Sequence, residues 1–160
     1  MRSNATRAVR SLPAVLLAFA VASCASFPGF GTSASAPRNA SLYARLGGYE
    51  ALAAVTDDIL ARELKDPVII PFFKGLDEAD FKRIRQHLLD QLCTATGGPC
   101  FYPGKPMKSG HAEMEITEAV WNAFTGHIGE TLAAFKVPDR ERNELVVIIN
   151  SLKADIVNKP

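Results

Sequence analysis

One histidine, set among glycines and prolines, carries the clearest chemistry in this chain. The stretch Gly97 to Ile116 reads GGPCFYPGKPMKSGHAEMEI, with His111 near its end and Lys105 and Lys108 just before it. An amphipathic run precedes the stretch and another follows it. A neutral imidazole held at a fixed angle, with its second ring nitrogen hydrogen-bonded, can serve as the single protein ligand of a haem iron. Lysines nearby could pair with the two propionates of such a group. A histidine in a Gly/Pro loop is more often a plain polar loop residue, and spacing alone does not make it a ligand.

The elements that must position His111 read as helices. Tyr49 to Leu64 places Leu52, Val55, Ile59 and Leu60 near helical spacing, and Asp66-Pro67 stops it. Val68 to Phe73 reads as a short apolar helical turn ending in Phe72-Phe73. Asp77 to Ala95 carries the stripe Phe81, Ile84, Leu88 and Leu92, with Asp77 and Asp80 suited to its N-terminus. Thr117 opens the next helix as its N-cap, and Val120, Trp121, Phe124, Ile128, Leu132 and Phe135 share one face. Pro138-Asp139 separates this helix from a last one that repeats Leu145, Ile148, Ile149, Leu152 and Ile156. There is no strand pattern and no internal repeat. The residues alone therefore predict an all-α fold, a small helical bundle around a Gly-rich loop.

The string GGPCFYPGKPMKSGH, with SLYARLGGYEAL and PFF upstream, closely resembles the group 1 truncated haemoglobins over Ser41 to Lys159. The features that match in order and spacing are Gly97-Gly98, Tyr102-Pro103-Gly104, Met107-Lys108 and His111. The resemblance implies a two-over-two helical sandwich over residues 41–160 that holds haem b. It implies that His111 is the proximal iron ligand and that Phe73 packs flat against the haem. It places Tyr102, Met107, Ile116 and Trp121 on the pocket walls or in the core. Lys108 would meet a propionate, or else be a solvated surface lysine.

On the opposite side of the iron the chain departs from the family pattern. Where many members carry a tyrosine on the first long helix, this sequence has Leu60. Where they often carry glutamine on the distal helix, it has Leu88, with Ile84 a turn earlier. Bound O2 gains negative charge, and a hydrogen bond to a charged group contributes about 1.5–3 kcal/mol. An apolar distal wall therefore favours NO and CO, which need a donor less. His87 sits beside Leu88, at a position where cyanobacterial members with two iron ligands carry histidine. It is a candidate sixth ligand to the iron, a donor that swings in to a bound gas, or a solvent-facing histidine at the shoulder of the stripe. His127, on the polar flank of the later helix, reads as a surface residue.

The resemblance thus implies reversible binding of a diatomic gas (O2, NO or CO), with NO oxidation to nitrate as a further activity. Nothing in the chain binds flavin or nicotinamide, so that activity would need an outside electron donor. A bis-histidine electron carrier or redox sensor using His87 and His111 is the competing reading.

The chain has 160 residues and a formal charge of +1, which gives no field for nucleic acid. Residues 1–23 read as an export signal, with Arg2, Arg7 and Arg10 before the apolar run Leu12 to Val21. The run ends in Val21-Ala22-Ser23-Cys24, which resembles a bacterial lipoprotein box and implies cleavage before Cys24 and its lipidation. An ordinary secretory signal is the alternative. Ala25 after the cysteine favours the outer membrane, facing the periplasm. Removing the three arginines leaves 15 basic against 17 acidic residues, a net charge of −2, so membrane attachment would rest on the lipid alone. Residues 24–40 would be the lipidated cysteine and a flexible tether, reaching about 20–25 Å. Cys93 and Cys100 are then left in an oxidising compartment as a disulfide, as two thiols, or as part of a metal site.

Overall fold

The computed structural model describes residues 37 and 39–160. The export signal, Cys24 and nearly all of the tether expected from the sequence lie outside the described residues. Among the described residues the chain is helical, with no strand. The order is α1 (Leu42–Arg45), α2 (Gly48–Glu63), a 3-10 turn (Ile70–Phe73), α3 (Glu78–Ala95), α4 (Met107–His111), α5 (Glu118–Ala134), α6 (Asp139–Ser151) and α7 (Lys153–Ile156).

Local chemistry sets the helix starts. Asp77 and Asp80 cap α3 reciprocally, each carboxylate accepting the other's backbone N–H, at 2.9 and 3.2 Å. Thr117 Oγ1 accepts the Val120 N–H at the head of α5. The apolar stripes then meet. α2 packs on α3 and α5, α1 lies between α2 and α6, and α7 joins α6 to α4. Leu52, Val55 and Ile59 of α2 are buried with Leu89 and Leu92 of α3, Ile128 and Leu132 of α5 and Leu145 of α6. Burying each such side chain contributes roughly 1.5–3 kcal/mol. Arg45 fastens α1 to α6. Its guanidinium donates to Glu141 at 2.9 Å, to Glu144, and to the Ala40 carbonyl at 2.7 Å.

The turn after α3 is held by two close approaches. Cys93 and Cys100 are joined by a disulfide across Cα atoms 5.8 Å apart. Gly98 lies against both this bridge and Tyr43. A β-carbon there would sit 2.6 Å from the Cys93 sulfur and 2.5 Å from the Tyr43 ring, so only glycine fits.

Four features differ from the sequence expectation. α1 and α4 are short helices that the periodicity did not show, because four or five residues are too few to display a period. The last helix breaks at Leu152, whose N–H turns back to the Asn150 and Ile149 carbonyls. The break sends α7 against α4. His127 is half-buried and paired, not a freely solvated surface residue. Its side chain is 18% exposed and its Nε2 lies 2.7 Å from Asp66 Oδ2, because the turn after α2 folds over the flank of α5. The backbone N–H of Val68, and then His127, hold the Asp66 carboxyl below its ordinary range.

Candidate functional site

The helices enclose a cavity of about 510 Å³, inside the usual range of small-molecule sites. Its walls come from α2, the 3-10 turn, α3, the Gly/Pro segment, α5 and α6, and they are mainly apolar. Seven side chains with polar or ionisable groups line them: Glu63, His87, Gln91, Tyr102, Lys105, His111 and, through its indole N–H, Trp121.

His111 ends α4. Its Nδ1 lies 2.7 Å from the carbonyl oxygen of Met107, one turn earlier. A carbonyl only accepts, so Nδ1 donates, and in the neutral imidazole Nε2 keeps its lone pair. An imidazole fixed in this tautomer, on the wall of an apolar cavity, is prepared to ligate a metal through Nε2. The backbone behind it is clamped by Asn158. The Asn158 amide donates to the carbonyls of His111 at 2.6 Å and Ala112 at 3.2 Å, and its oxygen accepts the Ile116 N–H at 2.8 Å. The backbone N–H groups of Asn158 and Lys159 both donate to the Ile116 carbonyl. The segment that aims His111 is thus tied at both ends to the chain that follows α7.

Met107, Ile116, Tyr102, Phe73 and Trp121 all line the cavity. Phe73 stacks on Phe81 with ring centroids 5.8 Å apart, which fixes its plane. The Tyr102 hydroxyl donates to the Lys105 carbonyl, and its ring lies over Gly104, where a β-carbon would come within 2.3 Å. Burial pushes the Tyr102 phenol above its ordinary pKa, which keeps it uncharged.

Leu60 of α2 and Ile84 and Leu88 of α3 share the cavity wall. No side chain among these three can donate a hydrogen bond. His87 also lies on the wall, half-buried, with its ring edge-on to Tyr102 at 5.9 Å. His87 thus borders the cavity while part of its side chain stays open to solvent. Lys105 and Lys108 are both exposed; Lys105 borders the cavity and Lys108 does not. Met107 faces inward from the first turn of α4, and its neighbour Lys108 is carried outward.

Three residues escaped the sequence reading. Gln91 follows His87 by one turn on the same helix face. Asn158 acts across more than forty positions of chain, which no local pattern reveals. Glu63 is the most unusual. It is 3% exposed, its Oε1 is buried without a hydrogen-bond partner among the described residues, and it lines the cavity. Burial alone raises its carboxyl pKa from 4.5 to about 8. A signal for it existed: Glu63 stands four residues after Ile59, where the next apolar residue of the α2 stripe belongs.

Comparison with known proteins fits this geometry. Relatives include a group 1 truncated haemoglobin of Mycolicibacterium paratuberculosis, 33% identical over 117 residues, covering 73% of this chain and 84% of the relative. Another is a group 1 truncated haemoglobin of a Nostoc species, 30% identical, covering 74% of this chain and 98% of the relative. Among solved structures, the truncated haemoglobin of Tetrahymena pyriformis in its Fe(III) form superposes with a TM-score of 0.69. It is 28% identical, and the match covers 75% of this chain and 100% of that one. A 2/2 haemoglobin of a Synechococcus species with covalently attached haem gives 0.68 at 27% identity, over 75% of this chain and 100% of that one. The two-over-two helical arrangement expected from the sequence is the fold of this protein. Matched over residues 41–158 by the model of the bacterial-like globins, the chain belongs to that family.

Proposed function

We propose that the protein binds haem b in this cavity with His111 as the protein ligand to iron, and holds a diatomic gas beside Leu60, Ile84 and Leu88. The observation that carries the reading is the His111 ring, with Nδ1 committed to the Met107 carbonyl and Nε2 left free on the wall of an apolar cavity. Haem, when bound, supplies a ferrous iron with a coordination position open to O2, NO or CO. The chain does the rest. Met107 and Asn158 orient the imidazole. Phe73, Ile116 and Trp121 offer apolar surface to a flat ligand and exclude water. Lys105 stands at the wall where a propionate could be met. The leucine-lined face keeps gas in a dry space but offers it no hydrogen bond from those side chains. Those three side chains by themselves favour NO and CO over long retention of O2. Oxidation of NO to nitrate would require an outside electron donor.

The same proposal places the protein on the periplasmic face of a bacterial membrane, anchored through lipidated Cys24. The Val21-Ala22-Ser23-Cys24 sequence supports it, and so does the Cys93–Cys100 bond, since disulfides persist in oxidising compartments.

The test is the visible spectrum of the purified protein after haem addition, in ferric, ferrous and ferrous-CO forms. A Soret band that His111→Ala abolishes is expected. Full haem uptake by the His111→Ala protein would overturn the reading. The position of His87 on the cavity wall favours a second arrangement, in which His87 and His111 both ligate iron and the protein transfers electrons or senses redox state. Sharp, split ferrous bands without added ligand, made broad by His87→Ala, would support that arrangement; an unchanged spectrum would exclude it.

A further inference from the structure

We propose that Glu63 is a hydrogen-bond donor to ligands in the cavity: an uncharged carboxylic acid that stabilises ligands bearing negative charge, beside the Leu60 wall that gives none. The inference rests on the haem reading above and extends it to a residue and to a class of ligand, anions and gases that become anionic on binding.

Three facts meet at this side chain. It is 3% exposed, and Oε1 is buried with no partner among the described residues. A buried polar atom without a partner is costly and is rarely retained unless something uses it. It stands one turn beyond Ile59 and Leu60 on α2, the helix that supplies part of the leucine-lined wall, and it lines the same cavity. An ionised carboxylate in such surroundings is strongly disfavoured, and burial raises the pKa of this group from 4.5 to about 8. At neutral pH the group therefore holds a proton, and a protonated carboxyl can donate.

The charges around α2 leave it in that state. On α2 itself, Arg62 is paired with Asp58 and with Glu130 of α5, and Asp57 with Arg85 of α3. On α5, His127 is held by Asp66. The other ionisable groups on the cavity wall are His87, Tyr102, Lys105 and His111. The His111 proton is committed to Met107, the Tyr102 proton to Lys105. Among the described residues no cation is bonded to Glu63 to draw off its proton.

The chemical consequence is selectivity. A neutral acid donates to a ligand atom that carries negative charge, and it ceases to do so when it ionises. Anion affinity should then fall as pH rises through the titration of Glu63. This behaviour is opposite in character to an apolar pocket, which would be indifferent to that titration.

The test uses the haem-loaded protein and its Glu63→Leu and Glu63→Gln variants; Leu fills similar volume without a titrating group. The probes are azide on the ferric form and CO on the ferrous form. In the wild type, CO photolysis should shift the infrared C=O band of a protonated carboxyl, and both variants should lack that band. The bound C–O stretch should rise in Glu63→Leu as the donor is lost. Azide affinity should fall about tenfold to a hundredfold in Glu63→Leu, the loss expected for a hydrogen bond to a charged group. No carboxyl band responding to photolysis, or wild-type azide affinity in Glu63→Leu with its Soret band intact, would overturn the proposal. Failure of the haem reading looks different: no Soret band in the wild type. In that case the protonated carboxyl is still read from the infrared spectrum of the haem-free protein, and its absence near neutral pH refutes the neutral acid itself.

Discussion

Replacing Glu63 by glutamine should change how the stability of this protein depends on pH. In the folded chain the Glu63 carboxyl has its pKa raised by burial to about 8, against 4.5 when exposed. Between those values the native state holds the proton and the unfolded state does not. Stability then falls as pH rises, because the unfolded state binds fewer protons. The contribution is fully present below about pH 4.5 and is gone once pH has passed through about 8. One pKa unit corresponds to about 1.4 kcal/mol, so the gap sets a ceiling of about 5 kcal/mol. That is a large share of a typical domain stability of about 5–15 kcal/mol. Carboxyls held low by their partners, such as Asp66, Asp80 and Glu144, act in the opposite sense and at lower pH. They cancel when wild type and variant are subtracted. The assay is urea unfolding of the haem-free protein, followed through the fluorescence of its single tryptophan, the buried Trp121, at a series of pH values. The stability difference, wild type minus Glu63→Gln, should decline steadily from acid to mildly alkaline pH and then level off. A flat difference across that interval would refute the claim that Glu63 folds as a neutral acid.

Three further perturbations follow from named contacts. Leu60→Tyr puts a phenol on the apolar wall; stopped-flow measurement should show O2 dissociation slowed about tenfold to a hundredfold, and an unchanged rate would mean Leu60 does not face the gas. Asn158→Ala removes the three side-chain bonds that clamp residues 111–116; haem transfer to an acceptor globin should become several times faster, with little change in the helical circular dichroism. Cys93→Ser opens the bridge to Cys100, a short loop whose closure contributes roughly 2–3 kcal/mol, and thermal unfolding should shift down accordingly; an unchanged melting temperature in oxidising buffer would show that the bond adds nothing.

Much of the architecture could be read before folding was considered. The stripe of α3, the Asp77–Asp80 cap, the Thr117 cap and the stop at Asp66-Pro67 are local signals, and each sits where the sequence places it. Periods of helical length survive in a sequence because one face of each helix must be apolar. Helices of four or five residues leave no such trace, so α1 and α4 were invisible. The break at Leu152 was hidden too, since the apolar repeat runs through it and only the turn of α7 toward α4 requires it.

The helical class, the family pattern around His111, and the apolar residues at Leu60, Ile84 and Leu88 are legible along the chain, because they depend on residue type and short-range spacing. Tertiary structure alone decided which way side chains at the shoulder of a helix turn. It brought His87 and Lys105 to the cavity, carried Lys108 away from it, and drew His127 under Asp66. It also decided the chemistry of Glu63. A carboxyl takes its charge from its surroundings, and those surroundings are assembled from helices far apart in the chain.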